Sequence, residues 1–380
     1  MVSRVSMAMF GSSLVSAYWN GAATYYRGII RALHGRGFDV TFYEPDAFDR
    51  QQHRDMDDPS WARVKVYHAS EAGVHGALEQ ARGADIIVKA SGVGVFDELL
   101  EAEIPRLRAA GNTLIFWDVD APATLQRMRE NERDPFRDQV PRYDLVLTYG
   151  GGHEVVREYL SRGARECVPI YNALDPSTHF PVPADPRFAG SLGFLGNRLP
   201  DREARVREFF LAAASRLPEH TFVLGGSGWG DHIELPRNVN YIGHVYTRDH
   251  NAFNCTPKAV ININRDSMAE TGFSPPTRVF EAAGAAACLL CDAWHGIEHF
   301  LEPNREVLCV RSGDEVAETL RSLTDERARE IGRAARERIL REHTYDHRAL
   351  ELQSLLGTHR SQSRTPKSDP KVSALEHLSV

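Results

Sequence analysis

Lysine is scarce in this chain: Lys65, Lys89, Lys258, Lys367 and Lys371 are the only five, so arginine carries most of the positive charge. Even so, 45 basic residues stand against 52 acidic ones, and the net charge of −7 excludes a general nucleic-acid-binding surface. Cysteine is also sparse, and its odd count of five builds no disulfide framework. Cys288 and Cys291 have C-x-x-C spacing, but they lie in an apolar strand-like run with no second Cys/His pair, which argues against a redox or zinc role. A reducing cytoplasm is the compartment this implies. No apolar stretch approaches the roughly 20 residues that span a bilayer, so peripheral contact is the only membrane association expected. Residues 1–10 read as a short strand rather than a secretory signal. The dinucleotide fingerprint G-x-G-x-x-G is missing too, since Gly226, Gly228 and Gly230 are wrongly spaced for it.

What the chain does contain is a repeated alternation of short apolar runs and helical patterns, the mark of a parallel sheet covered on both faces. With 380 residues, two cores are expected rather than one. Apolar runs near residues 5–10, 38–43, 64–67, 85–89, 113–117, 145–148 and 167–170 form a first set. The proline-bearing stretch 173–187 follows, and the pattern restarts near 191. The fold class is therefore α/β, with two Rossmann-like, doubly wound domains. They span 1–172 and 188–345, joined by a linker at 173–187, with a further helix at 346–356 and a disordered tail at 357–380.

Residues 273–292, FSPPTRVFEAAGAAACLLCD, are the most informative segment. Ser274 offers an N-cap oxygen, Pro275 or Pro276 suits the first turn, and Arg278 and Glu281 stand three apart on one helix face. A charged pair at a helix N-terminus suits a phosphorylated ligand, though a salt-bridged helix start reads the same way. In open α/β sheets ligands bind beyond the carboxyl ends of strands, and the glycine-rich segments at 11–21, 150–152, 196 and 225–230 all fall at such ends.

The string Arg278-Val279-Phe280-Glu281-Ala282, with Asn262-Ile263-Asn264-Arg265 upstream and Phe300-Leu301-Glu302-Pro303-Asn304-Arg305-Glu306 downstream, resembles the C-terminal signature of CgeB-like, spore-maturation-type glycosyltransferases related to group 1. The tail His343-Thr344-Tyr345-Asp346-His347-Arg348 fits as well, and the match runs from about residue 191 to 356. The resemblance implies a GT-B fold, its two domains facing across a cleft, with the helix at 346–356 packing back towards domain one. It also implies a hexosyltransferase-like enzyme that moves a sugar from a nucleotide-diphosphate-sugar donor, a UDP-sugar in first expectation, to a hydroxyl acceptor on a glycan, lipid or small molecule. No further cofactor and no metal are expected, because GT-B relatives use protein cations and helix dipoles instead. An epimerase on the same fold and a non-catalytic nucleotide- or glycan-binding relative are the alternatives. Nothing in the sequence sets an oligomeric state.

Such an enzyme must anchor a nucleoside, neutralise a departing diphosphate and manage the acceptor's proton. Glu281 is the expected ribose ligand, since a carboxylate can accept from two ribose hydroxyls as the matching family glutamate does. Arg278 and Arg198 are expected to supply fixed charge, helped by Gly196, Asn197, Gly226 and the helix start at Ser274, with Arg202 and Arg265 in reserve. For the proton, Asp118 and Asp120 stand in FWDVDAP at a strand end, and capping the next helix is the competing use of either. Their Asp-x-Asp spacing is that of metal sites in the other transferase fold, but it lies in domain one. His153, after three glycines, is expected either to touch phosphate or sugar or simply to start a helix. One departure stands out: group 1 relatives carry two glutamates about seven residues apart, whereas Glu270 precedes Glu281 by eleven. The sugar contact of the first glutamate is therefore unassigned, with backbone amides at 271–274 as its substitute.

Overall fold

Strands buried on both faces read as largely apolar runs, and the central strands of this chain do, with polar residues only at or next to their ends. The computed structural model describes residues 4–18, 20–230 and 233–364. Its first sheet contains β1 (Val5–Phe10), β2 (Phe38–Asp46), β3 (Arg63–His68), β4 (Ile86–Ala90), β5 (Thr113–Asp118), β6 (Leu145–Thr148) and β7 (Cys167–Pro169). All pairings are parallel, in the order β3-β2-β1-β4-β5-β6-β7. The second sheet contains β8 (Leu192–Leu195), β9 (Phe222–Gly225), β10 (Val239–Gly243), β11 (Ala259–Asn262), β12 (Leu289–Asp292) and β13 (Leu308–Val310), in the parallel order β10-β9-β8-β11-β12-β13. The strand order reverses direction between β1 and β4 and again between β8 and β11. These switch points leave crevices at the carboxyl ends, where a doubly wound sheet binds its ligand.

Each sheet has an apolar layer on either face. Lys89 in β4 is one of the charged exceptions inside the first lobe, with Glu44 in β2 and Asp118 in β5. It is wholly buried, and Asp97 at 2.5 Å and Glu101 at 3.5 Å neutralise it.

The last helix, Tyr345–Arg364, packs on the first lobe. Tyr345, Ala349, Leu352 and Leu356 join the core beneath the helix Ala23–Gly35. Gly28 is required there, because a Cβ would lie 2.1 Å from the Tyr345 ring. This helix is longer than the sequence suggests. Residues 357–364, expected to be disordered, continue it, because apolar anchors on its first three turns hold a frame that the polar residues extend. Residues 365–380 lie outside the described residues.

The linker is not free along its length. Thr178 O accepts from Asn251 Nδ2 at 2.9 Å, and Asp185 N donates to Thr256 Oγ1 at 2.9 Å, so the linker lies along the second lobe. The crossing between lobes narrows to Leu174, whose N–H donates to His343 O at 2.9 Å and whose carbonyl accepts from Tyr345 N at 3.0 Å. The outgoing and returning chains thus pair at one point.

Candidate active-site cleft

Arg278 and Glu281 stand in the helix Thr277–Gly284, their charged atoms 3.2 Å apart. Burial pushes the Glu281 carboxyl up, but Arg278, His179 and His250 outweigh it and hold it below the usual glutamate range. The expected Ser274 cap is not formed: the helix begins after Pro276, whose side chain has no donor or acceptor. Ser274 serves the junction between lobes instead. Its Oγ accepts from Gly151 N at 3.0 Å and donates to Gly272 O at 2.9 Å.

The arginines divide differently from expectation. Arg198 is tied to Glu203, Nε to Oε2 at 2.6 Å, so its charge is already matched. Arg202, held in reserve by the sequence, is the less neutralised one. Burial lowers its guanidinium pKa; Asp201 opposes this, and Arg265 and Arg278 reinforce it. Its Nε has no hydrogen-bond partner, and neither have Nε and Nη1 of Arg278, whose pairing with Glu281 lacks hydrogen-bond alignment. Buried donors without acceptors are costly, and here they sit on the helices Pro200–Val206 and Thr277–Gly284, which follow β8 and β11. Arg265 holds Asp201 at 2.6 Å and reaches Asp120 of the first lobe at 3.5 Å.

The glycine loops prove to be scaffolding. Gly196 N donates to Gly225 O at 3.0 Å and Gly226 N to Gly243 O at 2.7 Å, so neither amide is free for phosphate. Asn197 Oδ1 accepts from Ser227 N at 3.0 Å and is spent in the same lacing. Gly226, at φ +117°, is required because a Cβ would stand 2.2 Å from Gly196 O. Gly196 in turn leaves room for Arg202, since its Cβ would lie 2.9 Å from Nη1.

Across the cleft, Asp118 and Asp120 part company. Asp118 is wholly buried and accepts from Ser91 Oγ at 2.7 Å, Thr124 Oγ1 at 3.0 Å, Asp120 N at 3.0 Å and the Tyr159 hydroxyl. No acceptor hydroxyl can reach it, so the expected base role is withdrawn. Asp118 instead fixes the end of β5, with burial raising its pKa. Asp120 is 40% exposed, makes no capping bond to the helix Ala121–Glu130, and lines the pocket between lobes. Val119, Pro122, Tyr149, Gly150, Met268 and Ser274 share that lining. His153 is exposed on the first turn of the helix His153–Ser161 and is not among the lining residues, so it starts a helix, as its alternative reading had it. Two of the three glycines before it admit the opposite lobe: Cβ atoms on Gly150 and Gly152 would meet Ser274 at 3.0 Å and the Phe273 ring at 2.6 Å.

Two residues around Glu281 gave no signal in the sequence. His179 of the linker places Nε2 3.9 Å from Glu281 Oε1, and His250 comes from the helix His250–Cys255. Burial pushes the His250 pKa down to about 4, with help from Arg278, and burial also lowers that of His179. With Glu281 they form the cluster among the described residues that could hold a metal ion, one ligand atom from each lying within 4.8 Å of the others.

Residues 202–354 match the family model described as glycosyl transferase-like. No curated protein matches the chain. Among solved structures, sucrose-phosphate synthase from Thermosynechococcus elongatus is similar at a TM-score of 0.68 and 14% identity, covering 94% of this chain and all of that one. HepE of Anabaena, in complex with UDP and glucose, is similar at 0.64 and 13% identity, over 93% of this chain and 100% of its own. An alpha-glucosyltransferase in complex with UDP gives 0.66 and 11%, over 93% of this chain and 100% of its own. At such identities the likeness shows the fold, and the fold is GT-B.

Proposed function

We propose that this protein is a glycosyltransferase moving a sugar from a nucleotide-diphosphate donor to a hydroxyl acceptor. One observation carries the reading: Arg202 and Arg278, from the helices that follow β8 and β11, both keep buried guanidinium nitrogens without hydrogen-bond partners, and the charge of Arg278 is near enough to help lower the Arg202 pKa. A diphosphate is the ligand that would satisfy them, through charge-assisted and partly bidentate bonds. Glu281, kept anionic beside them, would accept from the ribose hydroxyls. As the bond to the sugar breaks, charge grows on the departing diphosphate, and the fixed guanidinium groups stabilise it with little reorganisation. Asp120, facing the pocket from the first lobe, would accept the proton of the incoming hydroxyl.

The matching family segment supports transferase chemistry, and the UDP bound by HepE and the alpha-glucosyltransferase favours UDP-hexose as donor. In this reading arginines do the work that a divalent ion does elsewhere, so turnover needs no added metal. The CgeB-like type is our finer assignment, resting on the quoted motifs. The five free cysteines favour a cytoplasmic setting, and among the described residues no helix is long and apolar enough to cross a membrane. Calorimetry against UDP, GDP and dTDP tests the site. We expect Glu281→Ala to weaken nucleotide binding severely while the fold survives, and unchanged affinity for all three would remove the assignment.

A further inference from the structure

Glu281 has more partners than a ribose contact requires. The two imidazoles beside it come from separate parts of the chain, and each has one nitrogen already engaged. His179 Nδ1 lies 3.0 Å from Thr178 Oγ1, a hydroxyl that gives its own proton to Asp175 O at 3.0 Å. That oxygen therefore accepts from Nδ1–H, which leaves a lone pair on Nε2, the atom nearest Glu281. His250 Nε2 lies 3.3 Å from Val245 O, which can only accept, so its lone pair is on Nδ1. Imidazoles whose tautomer is fixed by an oxygen on the far side are the usual form of metal-ligating histidines.

The spacing is close to what a metal needs. Ligand atoms about 2.0–2.1 Å from a tetrahedral zinc stand roughly 3.4 Å apart. The 3.9 Å between His179 Nε2 and Glu281 Oε1 closes with a small side-chain rotation. Arg278 opposes a dication, but it engages Oε2 of Glu281 and leaves Oε1 facing His179. Affinity below that of dedicated structural zinc sites is the expected result.

We propose that His179, His250 and Glu281 form a binding site for a transition-metal dication of the zinc class, and that metal and nucleotide exclude one another because both need Glu281. The ligand set favours zinc-like over magnesium-like ions, since two imidazoles and one carboxylate suit the softer metals. An occupied site would also pin the linker, through His179, to the second lobe. The exclusion rests on the reading of Glu281 as a ribose ligand, whereas the metal site stands without it.

The full-length chain, stripped with chelator, is titrated with Co²⁺ and followed by visible absorption. We expect one saturable d–d band per chain, lost on adding equimolar Zn²⁺ and unaffected by Mg²⁺. His179→Gln and His250→Gln should each weaken Co²⁺ binding at least tenfold, with His179→Ala and His250→Ala as second variants and thermal denaturation confirming folding. A missing band in folded wild-type protein, or one that survives these substitutions, overturns the site. UDP affinity is then measured with and without zinc, in wild type and in His250→Gln, which corrects for chelation of zinc by the diphosphate. A zinc-dependent loss of at least tenfold confined to wild type supports exclusion, and equal effects in both overturn it. If UDP fails to bind under every condition, the donor reading falls while the cobalt band still decides the metal site.

Discussion

The backbone N–H of Gly151 donates to both the carbonyl of Phe273 at 2.8 Å and the hydroxyl of Ser274 at 3.0 Å. One amide of the first lobe thus reads the position of the turn that begins the key helix of the second.

This contact should control how the cleft closes. Gly152→Ala would place a methyl group against the Phe273 ring, where the Cβ position is 2.6 Å from a ring carbon. We expect kcat/KM to fall about tenfold or more, since a displacement near 1 Å suffices to misalign reactants. Urea midpoints should change little, because the strain is relieved by parting the lobes. Steady-state kinetics beside a denaturation curve separate the two effects.

Arg202 and Arg198 should respond oppositely to substitution. A charge-assisted hydrogen bond is worth about 1.5–3 kcal/mol, so Arg202→Ala should cost roughly 10–100-fold in UDP affinity. Its affinity for uridine, which has no phosphate, should be unchanged. Arg198→Ala removes a partner of Glu203 and should leave both affinities near wild type. Isothermal titration of the two ligands against the two variants checks this.

The two acids of the first lobe should separate in the same way. Asp120→Asn should lower kcat by about 10²–10⁴-fold with little effect on donor binding. Asp118→Asn replaces the shared acceptor of four donors and should cost on the order of 1–3 kcal/mol in stability. If Asp118→Asn were instead fully stable with the chemical step abolished, the roles assigned here would be reversed.

Buried histidines give acid sensitivity. Burial, and after it Arg348, pushes the His343 pKa down to about 3, against roughly 6.5 in the unfolded chain. As pH falls below about 6.5 the unfolded state takes up a proton that the folded state refuses, so stability declines until the folded pKa is reached. At about pH 5 this single histidine should have cost roughly 2 kcal/mol relative to about pH 7. Urea melts across that range should show the slope, flattened in His343→Gln. Because His250 is shifted in the same direction, to about 4, a double variant should flatten it further.

Much of the architecture is legible in the sequence for a simple reason. Strands such as β5, buried at every position, read as apolar runs, here Leu114–Trp117, and their alternation with helical patterns fixes the fold class. Glu281 and Arg278 are legible because both lie within one helix turn. The errors arise where a local pattern has a distant partner. Ser274 has the composition of a cap, but Gly151 claims it from the other lobe. The glycines at 196 and 226 look like a phosphate cradle, yet they exist because two loops approach within van der Waals contact. The sequence ranks Arg198 above Arg202, and only the pairing with Glu203 shows that the charge of Arg198 is already matched. His179 and His250 were invisible, since nothing in their own neighbourhoods points to Glu281.

The pairing of Leu174 with His343 and Tyr345 has a mechanical consequence. Two covalent connections pass between the lobes, but they are stitched together where they pass, so they behave as one hinge pin rather than two loose tethers. Swinging open is easy about such a pin, whereas sliding or twisting would tear its hydrogen bonds. The lobes should therefore travel along a single arc, returning Asp120 to the same place above Arg265 at every stroke.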